Sequence, residues 1–167
     1  MSKFAVVTGA NRGIGATTSA ALIKDGWTVA LLGRDITSLE ATAKELGTSA
    51  TPISCDVSDP QSVAKAFQEV KTKFGRLDLL FNNAGIASPG SLLEEITPED
   101  WQRVININIG GVFYCTQQAF AIMKDQNPQG GRIINNGSIS AQVPRPNSAP
   151  YTASKHAVTG LTRSTSL

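Results

Sequence analysis

The run FAVVTGANRGIGATTSAALIKDG, residues 4–26, changes character twice. Residues 4–9 are apolar and β-branched and end in glycine, as a buried strand does; from residue 14 the apolar spacing suits a helix, with Gly26 as its stop. Gly9, Gly13 and Gly15 lie between the two. Glycines there permit tight turning and close backbone approach, so the N-terminus of the following helix can meet a pyrophosphate. The spacing is TGxxxGxG, not GxGxxG, and the turn alone also fits a purely structural role.

The same alternation repeats downstream. TVALLG (28–33) predicts a second strand, and DITSLEATAKELG (35–47) a helix capped by Asp35, with Ile36, Leu39, Ala43 and Leu46 on one face and Gly47 at its end. A third strand around TPISCDV precedes a helix over 58–75, where Ser58 and Gln61 are spaced as a capping box and Val63, Phe67, Val70 and Phe74 form one stripe. LDLLFN (77–82) reads as the fourth strand. Thr97 as cap, Pro98 at the first helical position and acids in the first turn open a long helix running to about Met123. GRIINN (131–136) is the fifth strand. The loop AQVPRPNSAP (141–150), with three of the eight prolines, leads from the carboxyl end of the sheet into a last helix. Strands apolar on both faces, alternating with helices, imply a doubly wound parallel sheet of the Rossmann type, α/β, with helices on each side.

At 167 residues, 41% apolar and 17% charged, the chain suits one domain, residues 1–167. A net charge of +2 with no basic run gives no footprint for nucleic acid. No apolar stretch approaches the roughly 18–20 residues of a membrane span, and no signal-peptide core follows the N-terminus, so a cytoplasmic location is expected. Cys55 and Cys115 stand apart in apolar surroundings and read as reduced core residues; His156 is the only histidine, which leaves no metal site.

YTASK, residues 151–155, places Tyr151 and Lys155 one helical turn apart, a spacing that also occurs on ordinary surface helices. Its place after the fifth strand, together with the first turn and NNAG (82–85), makes the sequence resemble the short-chain dehydrogenase/reductase family over residues 4 to about 163. That resemblance implies a cofactor loop at Gly9, Arg12, Gly13, Ile14 and Gly15, and an adenine contact at Asp56 and Val57. It also implies a cofactor-lining motif at Asn82, Asn83, Ala84 and Gly85. Within VININIGGVF (104–113) it makes Asn108 the catalytic asparagine, with Asn106 the competitor. Ser138 in IINNGSIS is the implied catalytic serine, and Tyr151 and Lys155 complete the set.

The chemistry implied is hydride transfer between a nicotinamide and a small-molecule carbonyl or alcohol, with Tyr151 as the acid–base group at the substrate oxygen. An isolated phenol, with a pKa of about 10, needs a nearby cation to act near neutrality. Lys155 is implied in that role and in binding the nicotinamide ribose; Ser138 would hydrogen-bond the substrate oxygen, and Asn108 would hold a water that links Lys155 to solvent. The second strand ends LLGRD, with Gly33 where a ribose-binding acid would select NAD and Arg34 beside it. With Arg12 in the first turn, this favours NADP over NAD, although a shifted register would let Asp35 take the ribose.

Asn136–Gly137 replaces a more usual apolar residue and serine, with no loss inferred. The family pattern continues beyond Leu167 through two more strands and a substrate-covering segment. The chain therefore reads as an incomplete domain of a longer enzyme, homo-oligomeric when full length, with the fifth strand a bare edge. A catalytically inactive nucleotide- or partner-binding protein of the same fold is the alternative.

Overall fold

The computed structural model describes residues 3–88 and 90–166. Five strands, β1 (Lys3–Thr8), β2 (Trp27–Gly33), β3 (Ala50–Ser54), β4 (Leu79–Asn82) and β5 (Arg132–Asn135), form one parallel sheet in the order β3-β2-β1-β4-β5. The order reverses at β1. Helices α1 (Gly13–Lys24), α2 (Ile36–Leu46), α3 (Pro60–Phe74), α4 (Pro98–Ile105), α5 (Gly111–Asp125) and α6 (Ala149–Ser164) connect and follow the strands.

Alternation along the strands builds two cores. Ala5, Val7, Val29, Leu31, Leu79 and Phe81 point to the face covered by α1 and α2, where they meet Leu39, Ala43, Leu22 and Ile23. Val6, Ala30, Leu32 and Leu80 point to the opposite face and pack on Val63, Phe67 and Val70 of α3 and Cys115, Ala119 and Ile122 of α5. Such two-sided burial is why the strands read as continuous apolar runs instead of alternating ones. Truncating the fully buried Phe67 to alanine is expected to cost about 3–5 kcal/mol.

Asp35 caps α2 by accepting from the Thr37 and Ser38 N–H groups, and Thr97 caps α4 by accepting from Asp100, with Pro98 at the first helical position, as expected. The capping box expected at Ser58 and Gln61 does not form. Pro60 has no N–H to contribute and takes the first helical position, which moves the cap to Asp59; its carboxylate accepts from Gln61 N–H at 3.0 Å. Ser58 instead donates its N–H and hydroxyl to Asp56.

The long helix expected from 97 to about 123 is interrupted. Residues Asn106–Gly110 form a π turn between α4 and α5. At the far side of the sheet, β5 is the edge strand of the described residues, with Ile134 47% exposed. No helix among the described residues is long and apolar enough to cross a membrane.

Candidate active site

The carboxyl ends of β1 and β4, where the strand order reverses, frame a crevice. Its floor is the turn from β1 to α1. Gly9 and Gly13 hold φ of 63° and 53°, a left-handed conformation that other residues adopt only with strain. Gly15 is needed for a different reason: a Cβ there would run into the Gly9 carbonyl oxygen and the Asn83 amide. Helix α1 starts at Arg12 with no side-chain cap and no acid in its first turn, so its leading N–H groups face the crevice without a side-chain partner.

The turn is held from β4. Thr8 Oγ1 accepts from the N–H groups of Asn83 and Ala84, both at 2.9 Å, while Asn83 Nδ2 donates to the Thr8 and Gly9 carbonyls at 3.0 and 3.3 Å. Asn82 lies behind, 3% exposed, donating to Thr116 Oγ1 and Asn135 Oδ1. Its part is to join β4, β5 and α5.

The crevice opens into a cavity of about 480 Å³. Of the residues expected to bind a cofactor, Gly9, Arg12, Gly13, Ile14, Arg34, Asp56, Val57, Asn83, Ala84, Gly85, Tyr151 and Lys155 line it; Gly15 and Asn82 support it from behind. Arg12 and Arg34 are exposed, and neither enters an ion pair among the described residues. Gly33, at the end of β2, brings no carboxylate to the same wall. Sequence reasoning missed Asn11, Cys55, Ile86, Ala87, Ile107, Asn136 and Arg145 as lining residues. Ile86 and Ala87 could have been found as the continuation of NNAG; Arg145 could not, because a proline-rich loop gives no periodicity. Burial pushes the Cys55 thiol up to about 11, against a hydrogen bond from Ser62 that lowers it.

Helix α6 delivers Tyr151 and Lys155 on one face, one turn apart. Lys155 is 8% exposed and donates through Nζ to the Asn136 carbonyl at 2.7 Å, with the ammonium 5.5 Å from the centre of the Tyr151 ring. Burial lowers the Lys155 pKa below its ordinary value, and the electrostatic influence of neighbouring Tyr151 opposes that shift. Asn136 Nδ2 donates to Asn83 Oδ1 at 3.0 Å, so a run of amides joins the lysine to the glycine turn.

Asn108 sits in the π turn, 2% exposed. Its amide donates to the Ile86 carbonyl and to Ser154 Oγ and accepts from the Ile86 N–H. Asn106, its competitor, is exposed and accepts from Gln102 Nε2. Ser138 precedes a 3₁₀ turn (Ile139–Ala141), and its Oγ accepts from Ser140 N–H at 3.1 Å, which leaves the Ser138 proton available to donate elsewhere. Neither Asn108 nor Ser138 belongs to the cavity wall. The described residues hold no group of three or more His, Cys, Asp or Glu that could bind a metal.

A doubly wound sheet with its crevice at the strand-order reversal defines a Rossmann-type nucleotide-binding domain. The chain belongs to the short chain dehydrogenase family, whose model matches residues 3–167. It is 37% identical over 164 residues to a 3beta-hydroxysteroid dehydrogenase of Mediterraneibacter gnavus, covering 96% of this chain and 58% of that protein. The structure of a 3-ketoacyl-(acyl-carrier-protein) reductase from Brucella melitensis complexed with NADH superposes with a TM-score of 0.93 at 34% identity, over 97% of this chain and 67% of that one. An actinorhodin polyketide ketoreductase with NADPH superposes with a TM-score of 0.92 at 35% identity, over 98% and 63%. The chain thus spans about three fifths to two thirds of the length of these proteins, 58%, 67% and 63%.

Proposed function

We propose that this chain is the dinucleotide-binding and catalytic part of an NADP-dependent oxidoreductase that interconverts a carbonyl compound and an alcohol. The observation that carries the reading is Lys155: an ammonium buried beside the Tyr151 ring, in the wall of a cavity that the glycine turn also lines. A core lysine serving only packing has no reason to stand in a cavity wall.

The cavity fits a nicotinamide dinucleotide on its own geometry. The left-handed glycines and the uncapped start of α1 suit the pyrophosphate; Arg12 and Arg34, neither in an ion pair among the described residues, suit a 2′-phosphate, and Gly33 offers nothing to repel it. Asp56 and Val57 would flank the adenine, Asn83 to Gly85 would line the middle of the site, and Lys155 would hold the nicotinamide ribose. Known structures related to this chain contain NADH in one case and NADPH in another; the arginines favour NADPH here. When bound, the nicotinamide supplies or accepts the hydride.

The chain's own residues handle the proton. Tyr151 gives a proton to the substrate oxygen on reduction and recovers it on oxidation. Lys155 stabilises the negative charge left on the ring oxygen, and its bond to the Asn136 carbonyl fixes where that positive charge stands. Ser138, with a lone pair engaged by Ser140 N–H, keeps its hydroxyl proton and donates a hydrogen bond to the substrate oxygen as charge develops there. Asn108 holds the π turn against the loop after β4 and steadies α6 through Ser154; from that turn it would hold a water that links Lys155 to solvent. The enzyme is read as a cytoplasmic homo-oligomer; exposed Phe113 and Phe120 on α5 support self-association. The test is Tyr151→Phe in the full-length protein, which should abolish NADPH-linked turnover of ketones and leave NADPH affinity within about twofold. Retained turnover would remove Tyr151 from the mechanism.

A further inference from the structure

Arg145 belongs to the proline-rich loop before α6, and its guanidinium carbon stands 5.7 Å from the centre of the Tyr151 ring. It lines the cavity that holds Lys155 and also a neighbouring cavity of about 430 Å³ enclosed by Ser91, Leu93 and the first turn of α6. Arg145, itself exposed, thus contributes to the walls of both spaces.

The surroundings supply no counter-charge. Among the described residues the ion pairs are Lys73 with Glu69 and Arg76 with Asp78, so no carboxylate meets Arg145. The smaller cavity has no acidic residue in its wall, and the one acid in the larger, Asp56, follows β3 on the adenine side. The neighbouring helix end adds to the positive field: α6 begins at Ala149, and Ser148 before it caps no N–H with its side chain. A guanidinium and a helix N-terminus thus face the smaller cavity, and the same guanidinium stands over the Tyr151 ring in the wall of the larger one.

We infer that Arg145 and the start of α6 form a subsite for an anionic group of the substrate, so that the carbonyl compound reduced at Tyr151 carries a carboxylate close to its carbonyl, as 2-oxo and 3-oxo acids do. This deepens the proposed function and rests on it. The guanidinium lies over the ring, a ring's breadth from the hydroxyl. An oxygen held at Tyr151 and an anion held at Arg145 are therefore separated by only a few bonds. Its planar fork matches a carboxylate in a way that lysine does not, and a neutral ketone would leave it to water.

The full-length protein is assayed with NADPH against 3-oxobutanoate and its methyl ester, which share one carbonyl and differ in charge. Arg145→Met should lower kcat/KM for the acid by about tenfold or more and that for the ester by less than about twofold. Added salt should weaken the acid's advantage in the parent protein. Arg145→Lys should restore part of the loss. NADPH affinity, measured by fluorescence, should stay the same in the variant, which also shows that it is folded.

An acid-to-ester ratio equal in parent and variant overturns the subsite. So does parent protein that reduces the ester but not the acid. A loss of NADPH affinity in Arg145→Met gives the arginine to the cofactor and overturns the inference too. Parent protein that binds NADPH but reduces no ketone, neutral or anionic, defeats the proposed function and the inference with it.

Discussion

Replacing Asn108 by alanine should loosen the π turn measurably. The side chain is 2% exposed and makes three hydrogen bonds, at 2.9 Å to the Ile86 carbonyl, 3.1 Å to Ser154 Oγ and 2.9 Å from the Ile86 N–H. At about 0.5–1.5 kcal/mol net for each, the loss lies between about 1.5 and 4.5 kcal/mol. Two facts push it toward the lower half: Ser154 keeps its bond to the Tyr151 carbonyl, and the half-buried Ile86 backbone can turn to water. The expected cost is about 2 kcal/mol, a large share of the stability of an ordinary domain. Urea unfolding followed by circular dichroism would read it as a lower midpoint at unchanged slope. Asn106→Ala is the control, since that residue is exposed and tied only to Gln102; it should stay within about 0.5 kcal/mol of the parent. Asn108→Asp should not rescue, because a carboxylate cannot donate to the Ile86 carbonyl. Equal costs at 106 and 108, or no cost at 108, would refute the reasoning that this amide holds the turn.

Other positions make sharper or broader tests. Arg34→Ala should weaken NADPH by about tenfold or more, at roughly 1.5–3 kcal/mol per charged hydrogen bond, and leave NADH little changed; an unaltered preference between the two would overturn the NADP assignment. Burial works against the Asp78 carboxylate, yet Arg76, the Phe4 N–H and Lys3 outweigh it and hold its pKa below 3.8. That stabilisation is present above 3.8 and lost as pH falls through the lower folded value, so Asp78→Asn should cost about 1–3 kcal/mol at neutral pH and progressively less below about pH 4 in thermal melts. The exposed edge at β5 should make the 167-residue chain associate with rising concentration, and Ile134→Lys should suppress this in sedimentation; a parent chain that stays monomeric would count against it.

Most of the sheet could be read from the sequence because strands buried on two faces and helices buried on one leave different apolar patterns, as at TVALLG and the stripe of Val63, Phe67 and Val70. The caps at Asp35 and Thr97 were legible for a local reason: a short polar side chain stands just before the helix, followed by an apolar stripe at Asp35 and by Pro98 and two acids at Thr97. Ser58 misled because two candidate caps stand side by side, and Pro60 decides between them. The π turn left no mark, since inserting one residue into a helix changes neither composition nor local propensity; it shows in the backbone at Asn106–Gly110, where Asn108 bonds to Ile86. Asn136 was passed over as a harmless departure, although its carbonyl holds Lys155 and its amide meets Asn83. Both contacts join residues distant in sequence, and no spacing rule reaches that far.

The amides running from Lys155 through Asn136 and Asn83 to the Thr8 and Gly9 carbonyls have a further property. Every link in the frame beyond the lysine, together with Thr8 and Asn82, is a hydroxyl, a carboxamide or a peptide group. None of these gains or loses a proton in the range where proteins remain folded. The scaffold that fixes the distance between the glycine turn and the lysine would therefore keep its shape through the acid–base steps proposed for Tyr151 and Lys155. The proposed acid–base chemistry would be carried on a support that is itself electrically mute, so protonation at the site need not be accompanied by movement of the walls.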